Sequence, residues 1–142
     1  DGLAGLRALI RDARAAAPGL PLLLAGFSQG ACLSLEYAFA GQDAPDALAA
    51  LTGCRVGGGG DARPERLAPG LPVYLTGSDA DPWIPVEAFA EAALALGRSR
   101  AALRSDLFPG RAHEVSGAEI AILATMLGDM AAGHAPRMAA AR

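Results

Sequence analysis

Pro21-Leu-Leu-Leu-Ala-Gly26, followed by Phe27-Ser28-Gln29-Gly30 and then ACLSLEYAFA over residues 31–40, joins a short apolar run to a helical stretch through one turn. The run is bounded by breakers and has no polar alternate positions, the mark of a strand buried on both faces of a sheet. From Gln29 to Ala40 the residues are small on one side (Gly30, Ala31, Ser34, Ala38) and stop at Gly41, as a helix does. Between the two, GFSQG matches G-x-S-x-G. Alone the pattern is weak in a chain with 18 glycines. Set between a strand and a helix, it describes the sharp turn that lifts a serine hydroxyl above a strand end. Glycines on both sides are expected, because side chains there would crowd the turn. The competing reading is a plain Gly-Ser connection.

Working outward, Leu3, Leu6, Leu9, Ile10 and Ala13 recur at helical spacing, so residues 2–16 read as an amphipathic helix stopped by Pro18-Gly19. Downstream, residues 47–52 (ALAALT) form a weaker candidate strand whose alanines would equally suit a helix. Residues 53–70 hold a Gly/Pro/Arg-rich loop; its GGGG lacks the Lys-Ser/Thr helix of a phosphate cradle and reads as plain loop. Residues 73–76 (VYLT) predict a strand, 86–96 a helix closed by Gly97, and 101–108 another strand. Ser116, with Glu119 in the capping-box position, starts a helix from Gly117 to about Ala132. Strands alternating with helices predict an α/β fold, a mostly parallel sheet covered on both faces, with functional groups on loops at the carboxyl ends of the strands. Residues 1–132 read as one domain and 133–142 as a disordered tail. Four strands are few for such a sheet, and the first residue is Asp rather than Met, so the expectation is a domain truncated at its N-terminus.

Composition narrows the function classes. The 142 residues carry a net charge of −3, and every one of the 12 basic residues is Arg. Without lysine there is no Walker-type phosphate loop, Schiff-base chemistry or Ser-Lys dyad. The arginines form no basic stripe, which argues against nucleic acid. Cys32 and Cys54 read as small buried apolar residues rather than a redox or metal pair. No metal-ligand spacing is present, since His113 and His134 are the only histidines. No signal peptide and no membrane-length apolar run is seen, so a cytoplasmic location without a membrane span is expected.

A serine hydroxyl needs a base to take its proton, and the base needs an orienting group. His134 lies in the tail. His113 lies on the loop between the last strand and the last helix, which suits a general base; its bland alternative is a surface histidine. The orienting acid is expected on an intervening strand-end loop, and the loop after VYLT offers Asp79 and Asp81. Pro82 holds Asp81 extended, which favours it; Asp79 would then bond within its own turn.

GFSQGACLSLEYAFA, GSDADPWIP and FPGRAHEVS together resemble the nucleophile, acid and histidine segments of the phospholipase/carboxylesterase family, which includes the acyl-protein thioesterases. The likeness runs from about residue 1 to residue 130, with three motifs in register. It implies a three-layer α/β-hydrolase fold, with Ser28 as nucleophile, Asp81 as acid and His113 as base. The implied reaction is hydrolysis of a small-molecule carboxylic ester or thioester without cofactor. The backbone N–H of Gln29 would serve the oxyanion hole, and Phe27, Trp83 and Ile84 flank catalytic positions as candidate pocket residues. Ala112 stands where the family usually has glycine. Family members also carry an upstream half-sheet whose His-Gly-type loop gives a second oxyanion donor; loss of one donor typically slows such enzymes about 10²–10³-fold. Low activity and an exposed apolar sheet edge are therefore expected of this chain. The rivals are a thioesterase or peptidase of the same fold and a non-catalytic α/β-hydrolase-like binding module.

Overall fold

The computed structural model describes residues 1–139. The elements run α1 (Gly2–Ala16), β1 (Leu23–Phe27), α2 (Gln29–Ala40), β2 (Ala47–Leu51), β3 (Pro72–Gly77), α3 (Val86–Arg98), β4 (Ala102–Leu107) and α4 (Gly117–Ala131). All four strands are parallel and lie side by side in chain order, β1-β2-β3-β4. Parallel strands require long crossovers, and α2, the 52–71 loop and α3 provide them.

Alternation along β2 explains the layers. Leu48 and Ala50 face a cluster built with Leu35 and Phe39 of α2 and Phe89 and Leu96 of α3. Ala47, Ala49 and Leu51 face the other way, toward Met126 and Met130 of α4. Every residue of β2 is buried, so the alanine-rich segment is a strand because it lies between β1 and β3. Its backbone groups are satisfied on both sides, and this outweighs the helical preference of alanine.

Two expectations need correction. Leu23–Phe27 is not buried on both faces: Ala25 and Phe27 are exposed, because β1 is an edge strand paired only with β2 among the described residues. An apolar run signals burial but does not say how many neighbours a strand has. Gly97 does not close α3, which runs on to Arg98; the chain leaves the helix through Ser99 and a left-handed Arg100 (φ 62°).

The capping box at Ser116 and Glu119 is formed in both directions. Beyond α4 the chain turns back, with the His134 N–H donating to the Asp129 carbonyl at 2.9 Å and Met138 packed against the cluster that holds Met126 and Met130. Residues 140–142 of the segment read as a disordered tail lie outside the described residues. No helix among the described residues is long and apolar enough to cross a membrane.

Candidate active site

The turn after β1 is as tight as its sequence implies. Ser28 sits at φ 55°, ψ −118°, a backbone region that non-glycine residues rarely occupy and that costs about 1–3 kcal/mol. The backbone N–H of Ser28 donates to the Leu51 carbonyl of β2 at 3.0 Å, which ties the turn to the sheet. Although Ser28 occupies the cap position of α2, its hydroxyl makes no capping bond to the helix. Of the two flanking glycines, Gly26 is required: a Cβ there would stand 2.3 Å from the Gly30 carbonyl group. Gly30 has open space around a built Cβ, contrary to the expectation that both positions are crowded.

Three strand-end loops converge on this hydroxyl. His113, after β4, places Nε2 2.7 Å from Ser28 Oγ. Its Nδ1 lies 2.7 Å from Asp81 Oδ2, on the loop after β3. The Asp81 side chain is fully buried and that of His113 is 19% exposed. Asp81 Oδ1 accepts from the backbone N–H groups of Trp83 at 2.7 Å and Ile84 at 3.0 Å, so its own loop aims Oδ2 at the imidazole. Burial alone pushes the Asp81 pKa up. The His113 hydrogen bond and the Ile84 and Trp83 N–H groups outweigh it and hold the carboxyl below its ordinary range.

Asp79 does not join this line, and it does not bond its own turn as expected. It accepts from the Gly110 N–H at 2.7 Å. Ser78 Oγ donates to the Arg111 carbonyl at 2.5 Å, and the Phe108 N–H to the Gly77 carbonyl at 2.9 Å. The acid loop and the histidine loop are thus stapled at three points.

Gln29 is the first residue of α2, where helix N–H groups have no partner within the helix and the dipole is positive. The Phe27 ring lies 5.1 Å from the His113 ring and is 43% exposed. Trp83 is 74% exposed and Ile84 half-buried. The backbone role of Trp83 and Ile84 on Asp81 was not foreseen.

Beneath the histidine loop lies a polar cluster that residue-by-residue reading missed. Glu119 is completely buried and pairs with the Arg111 guanidinium. It also accepts from Thr76 Oγ1 and from the Ser116 N–H at 2.6 Å. Arg111 reaches on to Thr52 Oγ1 at 2.6 Å, which in turn donates to the Glu114 carbonyl at 3.2 Å. Burial would raise the Glu119 pKa, but the Arg111, Ser116 and Thr76 hydrogen bonds bring it below the ordinary value. His113 is therefore flanked by two anchored neighbours, Arg111 and Glu114. The signal was present as an arginine two residues before the histidine and a glutamate that serves its cap from inside the protein.

A parallel sheet with helices on both faces, and a serine raised on a strained turn at a strand end, define an α/β-hydrolase fold. No family model matches the chain, and no curated protein sequence does. Among solved structures, the chain is similar to the phospholipase/carboxylesterase of Dyadobacter fermentans DSM 18053 (TM-score 0.71, 30% identity), over 85% of this chain and 59% of that one. It is similar to esterase PE8 (TM-score 0.72, 25% identity), over 88% and 58% of the two chains. Acyl-protein thioesterase 2 of Zea mays shares the fold (TM-score 0.68, 17% identity), over 89% and 63%. The resemblance to phospholipase/carboxylesterase-type α/β hydrolases thus extends from three motifs to the three-dimensional structure. The chain spans 58–63% of the length of these three proteins.

Proposed function

We propose that this chain is a serine hydrolase that cleaves carboxylic esters, thioesters included, through an acyl-enzyme. The observation that carries the reading is the unbroken hydrogen-bonded line Asp81–His113–Ser28, with both links at 2.7 Å, drawn from three separate strand ends. Its direction fits the chemistry. Nε2 of His113 takes the Ser28 proton as Oγ attacks the acyl carbon, and Asp81 holds Nδ1–H, which fixes the tautomer and stabilises the imidazolium that forms. Negative charge develops on the former carbonyl oxygen, where the Gln29 N–H at the positive end of α2 can meet it. Collapse expels the alcohol or thiol, protonated by His113. Water, deprotonated by the same imidazole, then releases the acid. Phe27, whose ring lies 5.1 Å from that of His113, offers apolar surface beside the reacting atoms for an acyl chain or leaving group, and Trp83 and Ile84 stay candidates for the same role.

Covalent labelling tests the reading directly. A fluorophosphonate should modify Ser28 in the folded chain and leave Ser28→Ala unmodified, with adduct mass and peptide mapping as the readout. Labelling needs one turnover and so tolerates a slow enzyme. A panel of p-nitrophenyl esters, acyl thioesters and peptides then separates esterase, thioesterase and peptidase. A folded chain that never forms the adduct would overturn the proposal in favour of a binding module.

A further inference from the structure

The two cysteines were expected to be buried apolar filler. Both are instead part-exposed, and their sulfurs lie 4.0 Å apart. The contact bridges distant segments: Cys32 is on α2, one turn after Ser28, and Cys54 is on the segment that leaves β2.

Three features built around the pair hold it in place. Gly53 lies so close to α2 that a Cβ there would come 2.5 Å from the Ala31 Cβ, so the backbone before Cys54 is pressed on the helix. The Cys54 N–H donates to Cys32 Sγ at 3.3 Å. On the far side, the buried Arg55 guanidinium pairs with Glu36, one turn beyond Cys32, at 2.7 Å, and lies 3.7 Å over the Phe39 ring. Glu36 also accepts from the Val56 N–H at 3.0 Å. The segment carrying Cys54 is thereby clamped to α2 both before and after the cysteine. Cys32, itself part-exposed, also lines an open groove of about 450 Å³ with Gln29, Gly30 and Val56.

We propose that Cys32 and Cys54 are a dithiol site that small-molecule disulfides oxidise to an intramolecular disulfide, with Cys32 as the attacking sulfur. The Cys32 thiolate attacks one sulfur of a glutathione-type disulfide, forming a mixed disulfide and expelling one thiolate. Cys54 loses its proton to solvent, attacks the Cys32 sulfur and expels the second thiolate. Two protein thiols are oxidised and one disulfide is reduced to two thiols. Closing the bond brings the sulfurs from 4.0 Å to about 2.05 Å. The order of attack follows from the surroundings. The hydrogen bond from Cys54, with the backbone N–H groups, lowers the Cys32 thiol to about 6, while the same contact and burial push Cys54 up.

The test uses the native chain equilibrated with oxidised and reduced glutathione, quenched with acid, alkylated and weighed. The expected product has lost both alkylatable thiols and retains no glutathione. Both cysteines lie on one tryptic peptide, residues 15–55, so cleavage after Glu36 is used to separate them; the two pieces should stay joined until reduced. Unreacted thiols, stable glutathione adducts on the native chain or covalent dimers would each overturn the proposal. In Cys54→Ser the mixed disulfide should accumulate on Cys32. In the native chain a limiting amount of alkylating agent at neutral pH should modify Cys32 at least about ten-fold faster than Cys54, read on the two pieces after cleavage at Glu36. Equal rates would overturn the assignment of the attacking sulfur. Unfolding the chain in urea should erase the difference, because it arises from the fold.

Discussion

Glu119 is wholly buried yet meets the guanidinium of Arg111, two residues before His113. Removing one partner of a buried pair strands the other charge, which typically costs about 3–5 kcal/mol. Glu119→Leu should therefore lower the urea midpoint sharply. The double substitution Arg111→Met with Glu119→Leu should recover much of the loss, since no charge is left unpaired. Equilibrium unfolding of both single variants and the double variant measures the coupling. Additive losses would show that the pair does not act as a unit.

Asp81 and Asp79 compete in the sequence but do different work in the fold. Asp81→Asn keeps the shape yet disturbs the tautomer of His113, and in a Ser-His-Asp system that change costs about 10⁴ in rate. Phosphonylation of Ser28 in Asp81→Asn should be slower by a factor approaching this. In Asp79→Asn, which loses only a charge-assisted contact to Gly110, the rate should fall less than about ten-fold. Similar rates for the two variants would sink the assignment of the acid.

Acid should weaken the fold through two named carboxylates. Asp81 and Glu119 both titrate below their ordinary values of 3.8 and 4.5 in the folded chain. A depressed folded-state pKa adds stability that is complete above the unfolded-state value and is lost as pH falls through the folded one. The urea midpoint should thus fall on acidification below about pH 4, and more shallowly in Glu119→Gln, which has one fewer such group.

The two glycines of the serine turn should respond oppositely. Gly26→Ala drives a Cβ into the Gly30 carbonyl and should destabilise the chain by about 1–3 kcal/mol or more. Gly30→Ala meets nothing and replaces a helical glycine, so it should be neutral or stabilising by up to about 1 kcal/mol. Thermal and urea melts of the two variants provide the comparison.

What was legible in the sequence was local. The strand–serine–helix turn, the Ser116 cap and the loop positions of Asp81 and His113 depend on neighbours within a few residues, and each stands where the pattern put it. What was hidden depends on packing between distant segments. The apolar run before Gly26 could not reveal that β1 has one neighbouring strand rather than two. Gly97 reads as a stop, yet a glycine is tolerated inside a helix, and α3 runs to Arg98, two residues before the left-handed Arg100. Arg111, Glu119 and Thr52 look like surface residues one at a time, and the Cys32–Cys54 contact joins positions that no periodicity links.

Because neighbours in the sheet follow chain order, each strand can dock beside the one made just before it. The serine turn follows β1, whereas His113 follows β4, and Glu119, which braces the His113 loop, comes later still, on α4. During synthesis on a ribosome the Ser28 hydroxyl therefore emerges 85 residues before the imidazole that meets it. The hydrogen-bonded line from Asp81 through His113 to Ser28 can form only once β4 and the loop after it have left the ribosome.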